Sequence, residues 1–194
     1  MKAVLFNCSP RPEGNTSFLM KRMANYFVSS GGQAELVQVG GEPLRGCKAC
    51  GSCKVNQDGR CIEDRDMIND CIQLMVAADA IVIGSPVYFS QMTTEAKALV
   101  DRCGYVVSAN GKMLSRKIGA AVAVGRRAGR MTTFNALNQF FLINDMIVPG
   151  STYWNVGVAR DPGDMERDEE GLKTVDRLAE NIQWLHQKLQ VMSP

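Results

Sequence analysis

Apolar residues fall along this chain in two alternating kinds of block. Short runs, Ala3-Val4-Leu5-Phe6, Ala80-Ile81-Val82-Ile83 and residues 118–124, have the length of buried strands, and residues 34–39, interrupted by Glu35 and Gln38, are a further strand candidate. A fifth, broken run spans residues 147–158 and contains Pro149-Gly150. Between these runs, apolar residues recur three and four positions apart, as on one face of a helix. One stripe is Phe18, Leu19, Met23, Tyr26 and Phe27, and a second is Ile68, Cys71, Ile72 and Met75. Another is Phe134, Leu137, Phe140 and Phe141, and the last is Val175, Leu178, Ile182, Leu185 and Leu189. Thr93 starts a further helix that runs to about Val107. Asn15 or Thr16 is expected to cap the first helix and Asp66 the second, while Gly31-Gly32 ends the first.

Five strands alternating with five helices predict an α/β fold, a parallel sheet covered on both faces. Right-handed crossovers in so short a chain favour a five-stranded doubly wound sheet of order 2-1-3-4-5. Strands one and three then lie side by side at the switch point, where ligands bind beyond the carboxyl ends of the strands. Residues 40–65 fit neither period and form a cysteine- and glycine-rich insertion after the second strand. Long loops of this kind inside a compact domain are usually functional.

Length adds one constraint: 194 residues suffice for one sizeable core, so residues 1–194 are read as a single domain. A net charge of +2 gives no field pointing to nucleic acid or a membrane surface. No apolar run reaches membrane-spanning length, and Asn7 interrupts the first run before a signal-peptide core could form. A cytoplasmic, reducing setting is the default expectation. There the seven cysteines are thiols, metal ligands or catalytic groups rather than disulfides.

The chemistry concentrates in loops after strands. Asn7-Cys-Ser-Pro-Arg-Pro-Glu-Gly-Asn-Thr-Ser17 joins the first strand to the first helix. A helix start offers free N–H groups and a positive dipole end to an anion. Ser9, Arg11, Gly14, Asn15, Thr16 and Ser17 are therefore read as a phosphate pocket, although the Walker and dinucleotide glycine patterns are both absent. The competing reading is a polar loop ending in an ordinary cap. After the third strand, Pro86-Val87-Tyr88-Phe89-Ser90 can supply a flat apolar wall and exposed amides for a planar aromatic cofactor. Alternatively, Tyr88 and Phe89 pack beneath a helix. After the fourth strand come Arg126, Arg127, Ala128 and Gly129, as a cation for the reduced ring of such a cofactor, a contact for a further phosphate, or a solvated turn.

Cys47-x2-Cys50-x2-Cys53-x7-Cys61 is the most specific local pattern. Three cysteines two residues apart can bring thiolates into one small volume, and four thiolates hold an iron–sulfur cluster, here read as 4Fe–4S. Zinc takes four thiolates as well, though usually from two separated pairs. Unligated thiols, or disulfides formed on oxidation, are the third reading. Cys71 and Cys103 suit packing, and Cys8 borders the phosphate loop as a small buried residue. His186 is the one histidine, which argues against a Ser-His or Cys-His scheme.

Taken together, Ser9-Pro-Arg-Pro-Glu-Gly-Asn-Thr-Ser, Gly84-Ser-Pro-Val-Tyr-Phe and Arg127-Ala-Gly resemble the flavin-binding loops of the flavodoxin-like NAD(P)H-dependent FMN reductases. The Cys47 to Cys61 segment is similar to that of the iron–sulfur flavoprotein branch. The resemblance implies that the first loop holds the FMN phosphate and that Pro86 to Ser90 lie along the isoalloxazine ring. It places Arg127 to Gly129 at the ring's other side, where Arg130 and Met131 depart from the family's usual residues. It also implies NADPH or NADH as donor, a small-molecule or protein acceptor, and a homodimer or homotetramer. The expected activity is transfer of electrons from reduced nicotinamide through FMN and a cluster to that acceptor. The alternatives are a flavin or quinone reductase whose cysteines bind nothing, a flavodoxin-like electron carrier, and a zinc-stabilised binding module. Such carriers are usually strongly acidic, which the net charge of +2 disfavours.

Overall fold

The computed structural model describes residues 1–191. Its strands are β1 (Lys2–Asn7), β2 (Gln33–Gln38), β3 (Ala80–Pro86), β4 (Ile118–Gly125) and β5 (Val156–Val158). Its helices are α1 (Asn15–Ser29), α2 (Ser52–Asn56), α3 (Ile68–Ala77), α4 (Thr94–Ala109), α5 (Arg130–Ile143) and α6 (Glu169–Val191). The strands form one parallel sheet in the order β2-β1-β3-β4-β5, as the alternation predicts.

Alternate side chains of each strand leave opposite faces of the sheet. Val4, Phe6, Ile81, Ile83 and Ala121 pack into a core under α3, α4 and α5. Ala3, Leu5, Val82, Ala120 and Val122 pack into another under α1 and α6. Two buried faces explain why the central strands read as unbroken apolar runs. Gly119 is required by one close approach: a Cβ there would lie 2.5 Å from the ring of Phe141 on α5.

The structure corrects four local expectations. Neither Asn15 nor Thr16 caps α1; Gly14 occupies the cap position, and no side chain bonds the first turn. The α3 helix begins after Met67, and Asp66 reaches the Ile68 amide from two residues away. The fifth strand is only Val156–Val158, with Ile147 making an isolated bridge to Ile118. Pro149-Gly150 and the Ser151–Asn155 hydrogen bond divert the chain between them. The cysteine-rich insertion, read as aperiodic, contains the short helix α2. Its bounding residues Gly51 and Gln57 both take left-handed backbone conformations.

Candidate functional site

The loops after β1, β3 and β4 meet beyond the carboxyl ends of adjacent strands. The Cys8 amide donates to the Gly84 carbonyl at 2.8 Å, and the Thr93 hydroxyl donates to the Cys8 carbonyl at 2.9 Å. The Val87 amide donates to the Val124 carbonyl at 2.8 Å. A Cβ on Gly129 would lie 2.7 Å from both Ser90 Cα and Val87 Cγ1, so the loops after β3 and β4 touch closely.

In the first loop Ser9, Thr16 and Ser17 are buried, while Arg11 is exposed. With no capping side chain, the first-turn N–H groups of α1 remain available for an anion. Asn15 is engaged differently from the other predicted residues. Its side-chain amide donates to the Asp161 carbonyl at 2.9 Å and its oxygen accepts from the Met165 amide at 3.1 Å. Its side chain thus ties α1 to the segment after β5 and leaves its backbone to the loop.

Tyr88 and Gln91 exchange backbone hydrogen bonds of 2.8 and 3.0 Å, forming a two-residue hairpin. Its tip residues, Phe89 and Ser90, have φ of 47° and 64°. Both tip positions of such a turn need positive φ and normally carry Asn-Gly. A phenylalanine there is strained, and strain of this kind collects at functional sites. Phe89 is fully exposed and Tyr88 half-exposed, so neither packs beneath a helix.

Arg126 and Arg127 are exposed, and the Arg127 carbonyl accepts from Arg130 Nε at 2.9 Å. Arg127, Ala128 and Gly129 also line a recess of about 390 Å³ with Tyr153 and Trp154. Those two half-exposed rings, 4.6 Å apart between centroids, carry no distinguishing mark in the sequence. They lie inside the broken fifth run, where aromatics look like strand residues.

Cys47, Cys50, Cys53 and Cys61 all line one cavity of about 360 Å³ against α4. None is in a disulfide. Among the described residues, no three Cys, His, Asp or Glu side chains converge as a ready-made ion site. The donor set nevertheless fits a thiolate-bound group: four cysteines line a common space, and Cys50 is held below the ordinary thiol range, chiefly by hydrogen bonding from Ser52. Two asparagines anchor the segment. Asn69 exchanges hydrogen bonds with the backbone of Cys61 at 2.8 and 2.9 Å, and Asn110 accepts from the Gly59 amide at 2.9 Å. The remaining cysteines, Cys8, Cys71 and Cys103, are buried packing residues. Burial pushes their thiols up, Cys71 to about 12.

Sheet order and the three joined loops at the switch point make this a flavodoxin-like architecture. The chain belongs to the NADPH-dependent FMN reductase family, whose model matches residues 1–161. It is accordingly an oxidoreductase, and the family supports FMN as its cofactor. An iron–sulfur flavoprotein of Methanocaldococcus jannaschii is 37% identical over 191 residues, covering 94% of this chain and 95% of the relative. One from Methanosarcina thermophila is 31% identical over 184 residues, covering 94% and 93%. Among solved structures, RosB superposes with a TM-score of 0.78 at 18% identity, covering 99% of this chain and 81% of RosB. The Trp repressor binding protein of Bacillus subtilis superposes with a TM-score of 0.67 at 18% identity, covering 91% of this chain and 96% of that one. These two likenesses concern the fold. Among the described residues, no helix is long and apolar enough to cross a membrane.

Proposed function

We propose that this oxidoreductase takes electrons from NADPH or NADH and delivers them, through FMN and a 4Fe–4S cluster, to a small-molecule or protein acceptor. When bound, FMN supplies hydride acceptance with stepwise electron release, and a cluster supplies one-electron transfer. The chain's own work is binding and electrostatics. The uncapped start of α1, with Ser9, Arg11, Thr16 and Ser17 around it, balances a phosphate. Tyr88 and Phe89 offer aromatic surface that shields a planar ring from water. Arg127 is the cation available to a negatively charged ring edge. Cys47, Cys50, Cys53 and Cys61 are the ligands assigned to the cluster.

The observation that carries the flavin part is the joining of three loops beside a helix start that no side chain caps. The cluster part is supported by four cysteines around one cavity and by the names of the two relatives above. The same reading takes the protein as a homodimer or homotetramer. Anaerobic purification followed by absorption spectroscopy and elemental analysis tests it. One flavin with about four irons and four sulfides per chain is expected. Flavin without iron would leave a flavin or quinone reductase, and zinc in place of iron would remove the cluster. Steady oxidation of NADPH with an artificial acceptor separates an enzyme from a passive carrier.

A further inference from the structure

Arg102 sits in the middle of α4, only 2% exposed, on the wall of the cysteine cavity. Its Nη1 bonds the Asp66 carboxylate and donates to the Arg45 carbonyl at 3.2 Å. Its Nη2 donates to the Glu63 carbonyl at 2.6 Å. Arg45 lies two residues before Cys47 and Glu63 two residues after Cys61, so one guanidinium closes both ends of the ligand segment. The Cys61 side chain lies beside the same group. One donor is left over: Arg102 Nε is buried and has no partner among the described residues. A buried N–H without an acceptor is rare and calls for an explanation.

We propose that Arg102 is a positioning residue that sets the reduction potential of the group held by Cys47, Cys50, Cys53 and Cys61, as its buried cation and sulfur-facing N–H donor. The proposal rests on the cluster reading above. Four thiolates and inorganic sulfide supply the acceptors that Nε lacks. Charge and hydrogen bonds at the sulfurs are established determinants of cluster potential. Reduction adds one electron and hence negative charge, so a buried cation favours the reduced state and raises the potential. The Asp66 carboxylate opposes it. Of the other cationic residues lining the cavity, Arg45, Lys48 and Lys54 are exposed, and water screens them. Glu63 also lines it, with Arg65 at 2.7 Å and Lys48 at 3.6 Å.

The test is an anaerobic redox titration of the as-purified holoprotein with dithionite, following cluster and flavin separately. Arg102→Gln, Arg102→Lys and Asp66→Asn are compared with the native chain, alongside iron and sulfide content. Arg102→Gln should lower the cluster potential by about 59 mV or more, a tenfold change in the reduced-to-oxidised ratio. Asp66→Asn should raise it, and the flavin potential should hold. A loaded Arg102→Gln protein with the native potential overturns the proposal, as does a shift of the same sign in Asp66→Asn. Should Arg102→Gln fail to retain iron, Arg102→Lys decides. Iron retained near the native potential supports the charge role, and an empty Arg102→Lys protein overturns it. Native protein without iron defeats the cluster reading itself, a distinct result.

Discussion

Gln38 Nε2 donates to the Ser9 carbonyl oxygen at 2.7 Å, so the last residue of β2 holds the loop that follows β1. The same amide nitrogen bonds the Gly40 carbonyl at 2.6 Å, and its oxygen accepts from Asn7 at 2.6 Å. Asn7 in turn accepts from the Ser9 amide at 3.2 Å. Each such bond contributes about 0.5–1.5 kcal/mol net. Gln38→Ala removes three such bonds and should therefore lower stability by about 1.5–4.5 kcal/mol in urea denaturation. It should also weaken FMN more than riboflavin, because the disturbed loop is the one assigned to the phosphate. Flavin fluorescence titrations compare the two ligands, and parallel losses for both would detach Gln38 from the phosphate.

The uncapped start of α1 leads to a second expectation. Arg11→Ala and Thr16→Ala should each raise the FMN dissociation constant several-fold and change riboflavin binding little. Charge-assisted hydrogen bonds contribute about 1.5–3 kcal/mol where neutral ones contribute less. Native protein that binds FMN and riboflavin equally well would remove the phosphate from this loop.

The hairpin tip sets stability against function. Replacing Phe89-Ser90 by Asn-Gly gives the turn the residues its backbone demands. Strain of about 1–3 kcal/mol per residue should be relieved in part, so the thermal midpoint should rise. FMN should bind more weakly because one exposed ring is gone. A lower midpoint would mean that Phe89 makes a stabilising contact outside this chain.

The thiols should separate into two reactive sets. In reduced, metal-free protein, Cys50 is exposed and its pKa is depressed, so its thiolate forms at lower pH than an ordinary thiol. Cys8, Cys71 and Cys103 are buried with raised pKa values, so their thiolates form only at higher pH. Iodoacetamide pulses near pH 7, read by peptide mass spectrometry, should label Cys50 first and those three last. Early labelling of Cys71 would show that the core under α3 opens readily.

Gly119 offers a control distant from this chemistry. Gly119→Ala pushes a methyl group into the Phe141 ring and should cost about 1–3 kcal/mol of stability. Once folded, the variant should retain flavin, and loss of flavin at full folding would contradict the separation of core and site.

The centre of the sheet was readable because residues 3–6, 80–83 and 118–124 are buried on both faces and so appear as plain apolar runs. Spacing also disclosed the Cys47 to Cys61 segment and the Thr93 cap, whose hydroxyl accepts from the Ala96 amide at 3.2 Å. The β5 strand was blurred because three residues at an edge leave almost no period to detect. Gln38 and Arg102 were invisible for another reason. Their roles lie in partners 29 and 36 positions away, Ser9 and Asp66, and a polar residue in a strand or helix carries no local mark of such a partner. Asn15 shows the converse: a residue type suited to capping was drawn to Asp161 and Met165, and a glycine took the cap position.

Close contact between Gly129 and Ser90 bears on how this architecture can diversify. With so little space between them, a longer side chain or an inserted residue in either loop must displace the other. Changes there are accepted in pairs or not at all, so the two segments form one heritable unit. Grafting the 86–90 segment from a relative should fail alone and succeed when the 125–129 segment travels with it.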